Sequence, residues 1–174
     1  EAPEDKLLKL WEGLGYYNRV RNMQKAAQKI EEEYAGKFPE NYEEIKALPG
    51  IGNYTAGAIS SFAYGIPKPA VDGNVLRVVS RLLASDEDIM KASIRTKIEN
   101  AIEPVIPEDA ASDFNQGLIE LGAIVCVPNG EAKCEICPLT GICEAKRLGI
   151  QNELPVKKKA KARRIEERTV LIFK

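Results

Sequence analysis

An all-α fold is what the sequence predicts, and three observations predict it. Apolar residues recur at three- and four-residue spacing through most of the 174 positions. Glycine and proline fall between those segments more than inside them. The single β-type segment, "RTVLIF" at the far end, finds no second strand to pair with, and an unpaired apolar strand is an exposed edge.

Taken in order, "EDKLLKLWEGLG" from residue 4 reads as a short helix with acids in its first turn and Gly13 and Gly15 closing it. Residues 19–35 place Val20, Met23, Ala27, Ile30 and Tyr34 on one face of a second, amphipathic helix. "KFPENYEEIKAL" gives a loop and a short helix ending at Leu48. "YTAGAISSFAYG" is rich in small residues and suits a helix packed closely on its neighbours, with Asn53 as its N-cap. After the proline-stiffened "IPKPAVDG", a further helix carries Val75, Val78, Val79, Leu82 and Leu83 on one broad face. Helices over 91–103 and 109–125 complete the series.

Composition narrows the chemistry. A 44% hydrophobic, 29% charged chain has the balance of an ordinary soluble domain, and neither a membrane-spanning run nor a secretory leader pattern is present, so the expected location is cytoplasmic and intracellular. Histidine is absent, which removes His-based triads, His general bases and mixed Cys/His zinc sites. The formal charge of −1 conceals segregation: "KKKAKARR" (157–164) carries six positive charges, leaving −7 for the rest. That tract reads either as a solvated linker or as a phosphate contact.

Between the third and fourth helices lies "LPGIGN". Pro49 stops one helix, Gly50 and Gly52 permit positive φ, and Ile51 between them can anchor the turn, which makes the unit a helix–hairpin–helix. The second helix of such a unit offers unpaired N–H groups and a positive dipole end to a phosphate; a plain helical corner is the alternative. Asp72, in "VDGNV", sits at the mouth of the next helix, as an N-cap or as a carboxylate facing a developing cation; the two roles are compatible.

All four cysteines fall in "CVPNGEAKCEICPLTGIC", spaced C-x7-C-x2-C-x5-C from Cys126 through Cys134 and Cys137 to Cys143. Such clustering in a chain without a secretory signal favours metal ligation over disulfides, and spacing leaves zinc and iron–sulfur both open. Lys133, in the same loop, faces either a phosphate or solvent.

In sum, "GLGYYNRVRN", "ALPGIGNYTAGAI", "VDGNVLRV", "FNQGLIELGAIVC" and the cysteine loop, in that order from about residue 2 to about residue 150, resemble the A/G-specific adenine DNA glycosylases, the MutY family of helix-hairpin-helix glycosylases. The resemblance implies a helix-hairpin-helix DNA glycosylase fold with a 4Fe-4S cluster loop, acting as a monomer on duplex DNA that carries A opposite 8-oxoguanine or G. It implies hydrolysis of the N-glycosidic bond of a flipped-out adenine, without strand cleavage.

By the same resemblance Asp72 matches the aspartate that stabilises the oxocarbenium-like sugar, and Asn74 its polar neighbour. Leu48, Gly50, Ile51, Gly52 and Tyr54 form the DNA-binding hairpin. Tyr16 matches an aromatic wedge beside the oxidised guanine, although by itself it reads as half-buried packing. Gln116 aligns with a position near the adenine, where an isolated Gln reads as a solvated helix face. Cys126, Cys134, Cys137 and Cys143 match the 4Fe-4S ligands, with x7 in place of the commoner x6 gap.

Three units are expected: 1–90 with the hairpin, 91–150 with the cluster, and 151–174 as a basic connector entering the first strand of a NUDIX-like domain. No Glu here matches the family's general acid, which the resemblance places in a helix upstream of residue 1. The chain alone is therefore expected to be a catalytically incomplete fragment. Tyr54 stands where endonuclease III-like glycosylase/lyases carry the lysine that forms a Schiff base, a step tyrosine cannot perform.

Overall fold

The computed structural model describes residues 2–158, whose regular structure is all helical, with no strand among them. The expected strand at 168–173 and all but Lys157 and Lys158 of the basic tract lie outside the described residues. No helix of the described residues is long and apolar enough to cross a membrane.

Among the described residues eight α-helices follow one another: α1 Glu4–Leu10, α2 Asn18–Tyr34, α3 Tyr42–Lys46, α4 Asn53–Tyr64, α5 Gly73–Leu82, α6 Ala92–Ile102, α7 Ala111–Glu120 and α8 Glu144–Leu148. Local chemistry sets most of their ends. Glu4 and Asp5 occupy the first turn of α1, and the Asn41 side-chain oxygen Oδ1 caps α3 by accepting from Glu43 N at 2.9 Å. Gly65 and Gly149 stop α4 and α8 in the left-handed conformation, which glycine adopts without a Cβ penalty.

The main core is built by α5, α6 and the start of α7. Val71, Val75, Leu76 and Val79 meet Ile89, Ile94, Ile98, Ile102, Ile106 and Ala111, with Phe114, Leu118 and Ile119 packed against them. Each large side chain buried in this way contributes ~1.5–3 kcal/mol of transfer free energy. Ile45 and Leu48, both fully enclosed, root α3 and the start of the hairpin.

Four sequence expectations change. Asn53 is not the cap of α4: Gly52 holds that place, and the Asn53 side chain donates instead to Glu99 Oε2 on α6 at 2.9 Å. The helix expected over 109–125 ends at Glu120 and continues as a π-helical turn over Leu121–Val125, which brings Gly122 against α5. The face foreseen on α2 is buried only at Val20, and Met23 is exposed. On α5 the valines are buried as expected and Leu83 is exposed, but Arg77 and Arg81 are buried as well, because the π turn and the cysteine loop close over them.

Candidate functional site

The hairpin begins at Leu48, whose side chain is only 2% exposed, so that its backbone is what it offers outward. The turn closes when Ile51 N donates to Leu48 O at 3.2 Å. Gly50 has φ +81°, and a Cβ there would stand 2.6 Å from Asn22 Cβ on α2, so both its conformation and its packing demand glycine. Ile51 is half-buried, a lesser anchor than Leu48. Gly52 caps α4 with extended backbone and no side-chain cap, and the amides of Gly52, Asn53, Tyr54 and Thr55 donate to no acceptor among the described residues. A helix start left open in this way suits an external anion. Tyr54, 40% exposed, stands in the first turn of α4.

From the end of α4 the segment 66–71 delivers the chain to Asp72, and three helices fasten it. At Gly57 on α4 a Cβ would collide with the Pro69 carbonyl, 2.7 Å from its carbon, so only glycine admits the segment there. Asn115 of α7, fully buried, accepts from Ala70 N at 2.9 Å and donates to Lys68 O and Ala111 O, each at 3.0 Å. Arg95 of α6 donates to Val71 O.

Asp72 then caps α5. Its Oδ1 accepts from Asn74 N at 2.8 Å and Val75 N at 2.9 Å, while Oδ2 accepts from Asn74 Nδ2 at 2.8 Å. Asn74 is held in turn: its Oδ1 accepts from Arg77 Nη2 at 2.8 Å, and Gly122 lies so close that a Cβ there would be 2.5 Å from Asn74 Cβ. The buried Arg77 guanidinium also donates to Gly122 O at 2.7 Å and Cys126 O at 2.8 Å. Burial lowers the Arg77 pKa, and Arg81 adds to that, whereas Cys126 and Asp72 oppose it. The result is a half-buried carboxylate held in one orientation by two backbone amides and a carboxamide, beside the positive end of a helix.

Tyr16 is 83% exposed and has φ 47°, between Gly15 at φ 66° and the start of α2. Trp11 Nε1 donates to Gly15 O at 2.9 Å and closes this loop. A left-handed tyrosine costs ~1–2 kcal/mol, and that strain presents the ring to solvent rather than to the core. Gln116 is exposed on α7 and donates to Ser112 Oγ at 2.8 Å. Neither Tyr16, Tyr54 nor Gln116 hydrogen-bonds to Asp72 or Asn74.

The four cysteines are free thiols, each half-buried, and all four line one small cavity with Arg81, Lys146 and Gln151. Arg81 Nη1 donates to Cys126 Sγ at 3.2 Å, and Cys143 Sγ lies 3.6 Å from Arg81 O. Burial raises the Cys134 thiol, Lys146 opposes that, and the other three cysteines add to it. Among the described residues no group of three or more His, Cys, Asp or Glu side chains is placed to hold a metal ion. Four sulfur donors and three cations around one cavity fit a group that demands thiolates and carries negative charge. Lys133 is exposed at the rim.

Arg77, Arg95 and Asn115 escaped the sequence reading, since charged and amide residues at helical spacing read as solvated faces. Gly57 and Gly122 left a signal: each is a glycine inside a helical pattern, which marks a close approach.

Known proteins resemble this chain in sequence and in fold. Residues 1–104 match the model of the HhH-GPD superfamily of base excision DNA repair proteins. The chain is 43% identical over 141 residues to the adenine DNA glycosylase of Buchnera aphidicola (subspecies Acyrthosiphon pisum), covering 81% of this chain and 40% of that one. It is 38% identical over 154 residues to the human adenine DNA glycosylase, covering 88% of this chain and 28% of that one. The chain thus spans less than half the length of these relatives. Among solved structures it superposes on a thermostable thymine-DNA glycosylase with TM-score 0.73 and 28% identity, over 84% of this chain and 67% of that one. A non-covalent endonuclease III–DNA complex gives TM-score 0.69 and 29% identity, over 86% and 68% respectively.

Proposed function

The chain belongs to the HhH-GPD superfamily of base excision DNA repair proteins, and from that membership we propose that it is a catalytically incomplete part of a monofunctional adenine DNA glycosylase. Its substrate is duplex DNA with adenine opposite 8-oxoguanine or guanine, bound by a monomer. The observation that carries the reading is the Asp72–Asn74 arrangement at the mouth of α5, in a chain 38–43% identical to adenine DNA glycosylases.

In the reaction the N-glycosidic bond breaks, its electron pair leaves with the adenine, and positive charge develops at the sugar. Asp72 opposes that charge, and because Asn74 and two amides already hold the carboxylate, little reorganisation accompanies the step. Water then adds to the sugar carbon as hydroxyl, and the proton it gives up balances the one that leaves with the adenine. Adenine leaves well only when protonated, a contribution typically worth ~10²–10⁴ in rate. No Glu of this chain matches the family's general acid, so the chain alone cleaves slowly if at all.

The open amides at the start of α4 hold a DNA phosphate, Tyr16 wedges beside the oxidised guanine, and Gln116 lies toward the adenine. Cys126, Cys134, Cys137 and Cys143 hold a 4Fe-4S cluster, which pins the loop over 126–143 and orients its surface. Tyr54 favours hydrolysis over the lyase chemistry of the endonuclease III type, because a Schiff base requires an amine.

A single-turnover assay on duplex with adenine opposite 8-oxoguanine tests the roles. The full-length protein releases adenine, Asp72→Asn abolishes release without weakening binding, and the present chain binds but barely cleaves. Unchanged cleavage by Asp72→Asn would remove Asp72 from the reaction, and brisk cleavage by the chain alone would locate the acid within it.

A further inference from the structure

Behind the hairpin lies a carboxylate that the reaction does not use. Glu99 of α6 is only 8% exposed. Its Oε2 accepts from Asn53 Nδ2 at 2.9 Å, and its Oε1 has no partner. The nearby cations are committed elsewhere: Lys68 pairs with Glu103, and Lys46 and Lys68 stand over the Tyr42 ring at 5.7 and 5.0 Å. Burial, followed by the Glu99, Glu43 and Glu103 carboxylates, raises the Tyr42 phenol, so the same carboxylates gather around one ring.

A half-partnered buried carboxylate is costly unless something positive lies close. Here it is the start of α4: Asn53 is the first residue of that helix, and the amides from Gly52 to Thr55 are open. The same helix end that offsets the charge of Glu99 is the one that faces DNA. Two anions on one helix terminus repel each other and share one dipole.

We propose that Glu99 is a built-in brake on the hairpin: its charge, applied from inside the fold, weakens the grip of the α4 amides on a DNA phosphate and shortens the dwell on undamaged duplex. The proposal rests on the reading that those amides hold a phosphate. It makes Asn53, whose side chain carries the contact, the link between α6 and the DNA-binding turn. A glycosylase that must leave most of the sites it meets gains from such a brake, since backbone contacts dominate non-specific affinity.

The test is duplex binding by the purified chain. Glu99→Gln keeps an acceptor for Asn53 and replaces the unpartnered oxygen with an amide; Glu99→Met removes the charge without adding a polar group. Both should tighten binding about fivefold, mainly through slower dissociation, with no loss of Tm for Glu99→Gln. Unchanged or weaker binding by a folded Glu99 variant overturns the proposal. So does equal tightening by Glu108→Gln, which removes the same charge from an exposed loop. Gly52→Pro deletes one open amide where nothing lies within 4 Å of a Cβ, and it should weaken binding. If Gly52→Pro leaves affinity unchanged, the phosphate reading fails and the brake with it. If Gly52→Pro weakens binding and neither Glu99 variant tightens it, only the brake fails.

Discussion

Replacing Arg77 by Met keeps the bulk of the side chain and removes its donors. Three acceptors then lose a close charged partner, Cys126 O at 2.8 Å, Gly122 O at 2.7 Å and Asn74 Oδ1 at 2.8 Å, and Gly73 O loses a longer contact at 3.4 Å. A buried acceptor left unpaired costs about 1–3 kcal/mol, and the relieved desolvation of the guanidinium returns part of the total. A net loss of about 3 kcal/mol follows. With a urea m-value of ~2 kcal/mol/M, the unfolding midpoint should fall by about 1.5 M. Circular dichroism of the chain in urea measures it. Arg77→Lys, able to reach one or two of the acceptors, should lie between. Asn74 would also lose the contact that orients its carboxamide toward Asp72, so adenine release by the full-length protein should slow even where it is folded. A midpoint shift under about 0.5 M, or undiminished release, would refute Arg77 as the fastening of Asn74.

Three further outcomes are expected. Gly57→Ala drives a Cβ into the Pro69 carbonyl, so the segment ahead of Asp72 must move; a loss of ~2 kcal/mol, or about 4–8 °C in Tm, should appear in thermal melts, and an unchanged melt would mean the two elements are not packed as described. Tyr42 binds its proton more tightly folded than unfolded, so its contribution is complete below the ordinary tyrosine pKa of about 10 and is lost as pH rises through the raised value; Tyr42→Phe should flatten that alkaline decline in stability. The purified chain should contain iron and sulfide in equal amounts and lose both when Cys137 is changed to Ser, whereas stoichiometric zinc would contradict the cluster.

Much of the fold was legible because helical spacing and glycine–proline punctuation are local signals. The hairpin, Asp72 as a cap and the cysteine group all followed from short stretches. What escaped depends on distant partners. Arg77 reads as a surface residue until the π turn after α7 closes over it, and Asn115 until the 66–71 segment packs against α7; nothing in "NVLRVV" or "DFNQG" announces either burial. Asn53 illustrates the reverse case: its local role as a cap is a common choice for asparagine, and the Glu99 carboxylate, 46 positions away, wins its side chain. The apolar face of α2 was correctly periodic, but periodicity does not supply the surface that covers it.

The most direct test of the hydrolytic reading is to react the full-length protein with duplex carrying adenine opposite 8-oxoguanine in the presence of borohydride, and to quantify free adenine, strand breaks and trapped protein–DNA adduct together. The chemistry of Asp72 and the tyrosine at position 54 predict free adenine, an intact strand and no adduct. A trapped adduct with strand cleavage would contradict it and place the chain with the lyases.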